Sequence, residues 1–260
     1  MPGFAADLVA ALAPAVLLLV LIAAEAAQRT RPGRAARWFG NLAVHVLGVA
    51  TVFALAAVWD PEASLGRLLA WPWFGERFVT AAQLAATAFL DLVVYAVHRV
   101  QHGVPLLWRF HAVHHSDVDV DASTAIRHHP GEAALNYAVI AVVAASTGIP
   151  PETVTAYALL ALCWQLIQHA NITARWLSHP ALAALLVTPS LHRRHHARDR
   201  AIAEAKYGTV LSIWDRVVGS LRAARHDAVF GVDGIDDDRS WRPVGMLLTP
   251  VTLAIGRRPG

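Results

Sequence analysis

The sequence predicts an all-α integral membrane protein. About four to five membrane helices carry a cytosolic helical cap with a histidine-rich site for two metal ions. Three observations predict it. Of 260 residues, 56% are hydrophobic and only 16% charged, with a mean hydropathy of +0.43; a soluble domain carries about a quarter charged residues. Five apolar runs approach or exceed the roughly 20 residues that a bilayer-crossing helix needs. The spacing H-x-x-H-H occurs twice, in "HAVHH" at 111–115 and "HRRHH" at 192–196.

The elements follow in chain order. Residues 5–27 form the first span, with Pro14 tolerable inside it. No positive charge precedes this run and four arginines follow it, so it reads as a retained anchor rather than a secretory signal. Residues 38–59 form the second, with tryptophan at both ends as an interfacial belt prefers. Residues 60–76, with "WPWF", read as an interfacial turn. Residues 77–97 are the third span, and 133–149 and 153–170 two more, broken by "GIPPE". Apolar pieces at 181–187, 208–221 and 244–255 are too short to cross. The organisation is therefore N-terminal membrane helices over 1–76, a histidine-bearing domain over 77–220 and a cytosolic tail over 221–260. The three aspartates at 236–238 read as a solvated loop.

Arginine orients the chain. Arg29, Arg31, Arg34 and Arg37 place the first connection in the cytoplasm. Counting crossings from there leaves only Arg67 and Arg77 outside, and 20 of the 22 basic residues inside. The histidine motifs then face the cytoplasm. A pI near 9.5 suggests nucleic acid, but arginines spread between apolar runs serve membrane orientation, and no nucleic-acid partner is expected. The single cysteine, Cys163, lies in an apolar run and reads as core filler.

Within a helix, residues three and four apart share a face. His98 and His102 do so at the end of the third span, and His111, His114 and His115, then His192, His195 and His196, repeat the arrangement. His129 in "RHHPGE" and His169 in "QLIQHAN" are further candidates; His128 points away from its neighbour, and the lone His45 and His179 read as packing residues. Eight to ten imidazoles exceed the needs of one ion, so two ions share them, and all-nitrogen ligation suits iron, copper, zinc or nickel. A ligating ring normally donates its other N–H to a carboxylate or carbonyl. Asp91, two turns before His98, and Glu132, near His129, are the carboxylates placed to do this. A histidine-rich metal-binding or metal-transport protein is the alternative class. Metal-dependent hydrolysis lacks an H-E-x-x-H base. "SIWDRVVGSL" reads as a cover on the site, with Asp215 facing an arginine.

The stretches at 91–116, 127–132, 169–171, 189–196 and 207–219 together resemble the fatty acid hydroxylase and sterol desaturase superfamily. The resemblance implies a non-haem di-iron membrane enzyme that uses dioxygen as co-substrate to hydroxylate or desaturate a lipid of sterol, fatty acyl, carotenoid or alkylglycerol type. It implies iron ligation by His98, His102, His111, His114, His115, His192, His195 and His196, with His129 and His169 completing the centre. No cysteine cluster or G-x-G-x-x-G occurs, so electrons come from a separate electron-transfer protein or reductase. The sequence departs from the family pattern in "YAVHR", which lacks an aromatic before the first motif, in "KYG" for "NYG" and in "VGS" for "FGT".

Overall fold

The computed structural model describes residues 2–26, 33–61, 79–172, 174–221, 229–235 and 241–255. Arg29, Arg31, Arg67, Arg77, the "WPWF" turn and the aspartates at 236–238 lie outside the described residues. The order is α1 (Pro2–Ala26), α2 (Arg34–Val58), α3 (Val79–Gly103), α4 (Pro105–His115), a 3₁₀ turn Ala122–Ile126, α5 (Pro130–Thr147) and α6 (Pro151–His169). A second 3₁₀ turn, Arg175–Ser178, leads to α7 (Pro180–Leu185), α8 (Pro189–His195), α9 (Arg200–Ala203), α10 (Ile213–Val217) and α11 (Pro243–Ile255). The described residues contain no strand, only two isolated bridges, Leu186 with Leu211 and Ala197 with Phe230.

Proline punctuates the chain. Helices α4 to α8 each begin with proline at the first helical position, where its missing N–H costs nothing and its fixed φ suits the helix. The break between α5 and α6 is made by Gly148 at φ 71, a left-handed cap, followed by Ile149 and Pro150, which cannot continue the helix.

Two helices, Arg34–Val58 and Ala81–Gly103, are long and apolar enough to cross a membrane. Helix α2 shows the solvent it suits. Its buried stripe is Arg37, Gly40, Asn41, Val44 and Gly48, whereas Phe39, Val46, Phe53 and Val58 are exposed. Small and polar residues inward with large apolar residues outward is the pattern of a helix in lipid.

Polar side chains tie these helices to the 116–127 segment. Arg37, read from sequence as an orienting charge, is buried and donates to Asp117 at 2.9 Å and to Asp121. Trp38 Nε1 also donates to Asp121, at 2.8 Å. Arg127, with no exposure, donates to the Val113 carbonyl at 2.7 Å, Asn41 Oδ1 at 2.8 Å and Ser116 Oγ at 2.8 Å. From α1, Glu25 accepts from the backbone N–H groups of Ala122 and Asn171. These bonds satisfy the backbone where the chain turns out of α4, and they lock the first histidine motif under α2.

Candidate metal centre

Helices α3, α4 and α8 deliver the histidines, and the end of α6 adds His169. Their side chains gather into two groups. His98, His102, His111, His115 and His195 form one; His114, His169, His192 and His196 form the other. The H-x-x-H-H spacing explains the split. In α4, His111 and His115 share a face, and His114, one position round, turns to the other group; in α8, His192 and His196 share a face and His195 turns away.

The ring nitrogens define the chemistry. His98 Nδ1 lies 2.8 Å from the Tyr207 carbonyl, and His195 Nδ1 lies 2.9 Å from the carbonyls of Ala203 and Ala205. His111 Nδ1 is 2.8 Å from Glu132 Oε1. Carbonyl and carboxylate oxygens only accept, so each Nδ1 carries the proton and each Nε2 presents a lone pair. Those lone pairs face one another: His98 Nε2 is 3.1 Å from His111 Nε2 and 3.0 Å from His195 Nε2. In the second group His169 Nε2 stands 2.9 to 3.2 Å from the Nε2 atoms of His192, His196 and His114, and His192 Nε2 3.2 Å from His196 Nε2. Ligands about 2.1 Å from one ion and at right angles are about 3.0 Å apart. Both nitrogens of His102, and Nε2 of His115, are buried with no hydrogen-bond partner among the described residues. Facing lone pairs and orphaned buried nitrogens fit a cation in each group.

Burial, then neighbouring imidazoles, holds His114, His115, His192 and His196 well below the ordinary histidine range. Burial pushes His195 down to about 3. All are neutral at neutral pH, the form that ligates.

Four side chains sit differently from the sequence expectation. Glu132 serves His111 and His128, at 2.8 and 3.0 Å, rather than His129. His129 lies outside both groups: its Nδ1 accepts from the Gly131 N–H at 2.9 Å, and Nε2 lies 3.3 Å from the Leu247 carbonyl. It caps α5, while His128 stacks on His114 with centroids 4.4 Å apart. Asp91 touches no imidazole among the described residues. It accepts from Tyr157 Oη, Trp214 Nε1 and the N–H groups of Val210 and Leu211, all at 2.9 to 3.1 Å. Seven residues of helix are about 10 Å of rise, too far for Asp91 to reach His98. Asp215 likewise meets no arginine among the described residues. It accepts from the N–H groups of Tyr207 and Gly208 and from Ser220 Oγ. That turn aims the Tyr207 carbonyl at His98, a role carried by backbone and invisible to a reading of side chains.

Two cavities flank the groups. One of about 340 Å³ lies among α2, α3, α5 and α6 and reaches His98, His111, His114 and His192. The other, about 280 Å³, is bounded by His115, Trp108, Arg198 and Arg200. Trp108 stands between this second cavity and the histidines, its ring 5.0 Å from His102 and 4.9 Å from the Arg200 guanidinium.

Apolar helices around two groups of converging imidazoles define a helical protein with a double histidine site able to hold metal. The fatty acid hydroxylase family pattern matches residues 83–220, more than half of the chain, and the chain belongs to that family. It is 32% identical over 148 residues to an alkylglycerol monooxygenase of Homo sapiens, covering 56% of this chain and 32% of that protein. It is 29% identical over 191 residues to the Caenorhabditis elegans alkylglycerol monooxygenase, covering 73% and 34%. An ornithine lipid hydroxylase of Rhizobium tropici is 28% identical over 176 residues, 67% of this chain and 51% of that protein. The match spans about a third of the length of these alkylglycerol monooxygenases. No solved structure matches the chain.

Proposed function

We propose that the protein is a dioxygen-dependent di-iron membrane oxidoreductase that hydroxylates or desaturates a lipid. The observation that carries this reading is the facing of Nε2 lone pairs across about 3 Å among His98, His111 and His195. Family membership supports iron over other metals that imidazole binds. One ion is held by His98, His102, His111, His115 and His195, the other by His114, His169, His192 and His196. When bound, the iron pair supplies dioxygen activation and the oxidising power that no side chain has.

The chain's own residues do the rest. Glu132 and the carbonyls of Tyr207, Ala203 and Ala205 fix ring orientation and keep each Nε2 unprotonated. Helices α2, α3, α5 and α6 wall a cavity that brings a lipid to the histidines. A separate electron-transfer protein or reductase supplies electrons, and the Trp108 side, bounded by arginines, is where it approaches. Four to five spans, α1, α2, α3 and the pair α5 and α6, carry the histidines at their cytoplasmic ends. Residues 1–76 anchor, 77–220 form the oxidising domain and 221–260 a cytosolic tail. A metal-transport reading is less well supported, because the histidines close into two buried groups instead of lining a path.

The test is reconstitution of detergent-purified protein with ferrous iron under reducing conditions, then reaction with ¹⁸O-labelled dioxygen and host lipids. Two irons per chain, loss of metal in His195→Ala and oxidised lipid made only under dioxygen are expected. A hydroxylated product carries the label. Failure to retain metal, or lipid hydrolysis alone, would overturn the reading.

A further inference from the structure

We propose that the substrate is a lipid whose reacting carbon lies next to a hydrogen-bonding linkage or headgroup, which three amide side chains grip, while its tail runs away from the histidines between α3, α5 and α6. This rests on the oxygenase reading above. The cavity that reaches the histidines adjoins another of about 330 Å³, and Asn136 and Gln165 line both. Beyond them the second cavity is walled mainly by apolar side chains, among them Ile140, Val154 and Ala158. Its wall follows α6 from Gln165 back to Val154, about 16 Å of helix. That is a slot for hydrocarbon.

The boundary is a different environment. Gln101 Nε2 donates to Asn136 Oδ1 at 2.8 Å. That bond leaves Gln101 Oε1 and Asn136 Nδ2 without a protein partner among the described residues, and the Gln165 side chain has no such partner at all. Exchanging N and O in the bonded pair leaves the same inventory, one donor group and one acceptor. Amides facing an apolar cavity are costly unless something bonds them. Hydrocarbon passing this point leaves them unbonded, whereas a hydroxyl, ether, ester or amide group satisfies them.

Their location sets where the reaction falls. Gln101 precedes His102 directly, and Gln165 sits one turn before His169, whose Nδ1 lies 2.7 Å from the Gln165 carbonyl. A group held by these amides is about one helical turn, 5 to 6 Å, from the imidazoles. The oxidised carbon is therefore within a few bonds of the polar group, and a mid-chain or methyl-terminal position is excluded.

The test uses the full-length protein in detergent, with metal content and monodispersity as the check on folding. Binding of 1-O-octadecylglycerol is compared with that of octadecane in wild type, Gln165→Leu and Gln165→Met. Wild type prefers the glycerol ether, and either variant cuts that preference about tenfold, the worth of one hydrogen bond. A second arm locates the oxidation in products by tandem mass spectrometry. Oxidation beside the polar linkage supports the proposal, and oxidation far along the tail overturns it while leaving the oxygenase reading intact. If no lipid is oxidised, the oxygenase reading fails. The binding arm still decides the amide grip, because equal binding of both probes, unchanged by either variant, overturns it.

Discussion

At the scale of single residues, the site depends on which nitrogen of each ring holds the proton. Glu132 fixes this for His111 and also contacts His128. Glu132→Gln keeps the shape but offers His111 a neutral amide, so metal affinity falls by 10- to 100-fold. Metal retained after a chelator challenge measures it. His129→Ala makes the contrasting prediction. Its nitrogens face Gly131 and Leu247, so the variant keeps its full metal content and loses only a helix cap, about 1 kcal/mol of stability. Loss of an ion in His129→Ala would return that residue to the centre. Helical spacing made the eight motif histidines legible as one constellation, because positions three and four apart lie on one side of a helix; which group each joins was not legible, since His111 and His114 part company. His128 and His129 were not separable that way. They precede α5 in extended backbone, where Pro130 and the cap geometry decide which ring turns inward.

At the scale of elements, ion pairs and turns hold the helix ends in register. Burial raises the Asp117 carboxyl, but Arg37 and Arg127 outweigh it and hold the group below the carboxylate range. A depressed folded pKa means the stabilisation is complete above the unfolded value, about 4. It is lost as the pH falls from there through the folded value. Asp117→Asn should therefore destabilise the protein at neutral pH by about 1–3 kcal/mol, because Arg37 loses one charge-assisted bond and keeps its pair with Asp121. It should also flatten the acid limb of thermal stability in detergent below pH about 4. The turn after α9 makes a second prediction. A Cβ on Gly208 would stand 2.7 Å from the Leu211 carbonyl oxygen and 2.8 Å from Val187 Cγ2. Gly208→Ala thus displaces the Tyr207 carbonyl from His98, costing about 1–3 kcal/mol. It should loosen one ion per chain and leave the other, which chelator titration with metal analysis resolves. The helices themselves were readable from apolar runs and proline. Their ties were not: Asp91 is met by side-chain and backbone donors from distant segments, and Asp215 by the N–H groups of the turn just before it, which side-chain spacing does not reveal.

At the scale of the whole molecule, the question is how the helices sit in a bilayer. Helix α6 runs from Pro151 to His169, about 28 Å, close to the roughly 30 Å of a hydrocarbon core. Its histidine end lies at the two histidine groups, and its other end carries the exposed Glu152. If α5 and α6 cross as a pair, Glu152 and the histidine cap lie on opposite sides of the membrane. In the orientation proposed above the cap faces the cytoplasm, although buried Arg37 serves the fold as well as orientation. Single cysteines test this in a Cys163→Ser background, one at Glu152 and one at the exposed Asp199 beside α9. A membrane-impermeant maleimide should label Glu152→Cys in right-side-out vesicles and Asp199→Cys only after inversion. Labelling of both from the cytoplasmic side would make α5 and α6 a hairpin that dips into the bilayer and returns. The lipid would then enter past α2 alone, whose outward face of Phe39, Val46 and Phe53 adjoins the cavity at His45 and Gly48.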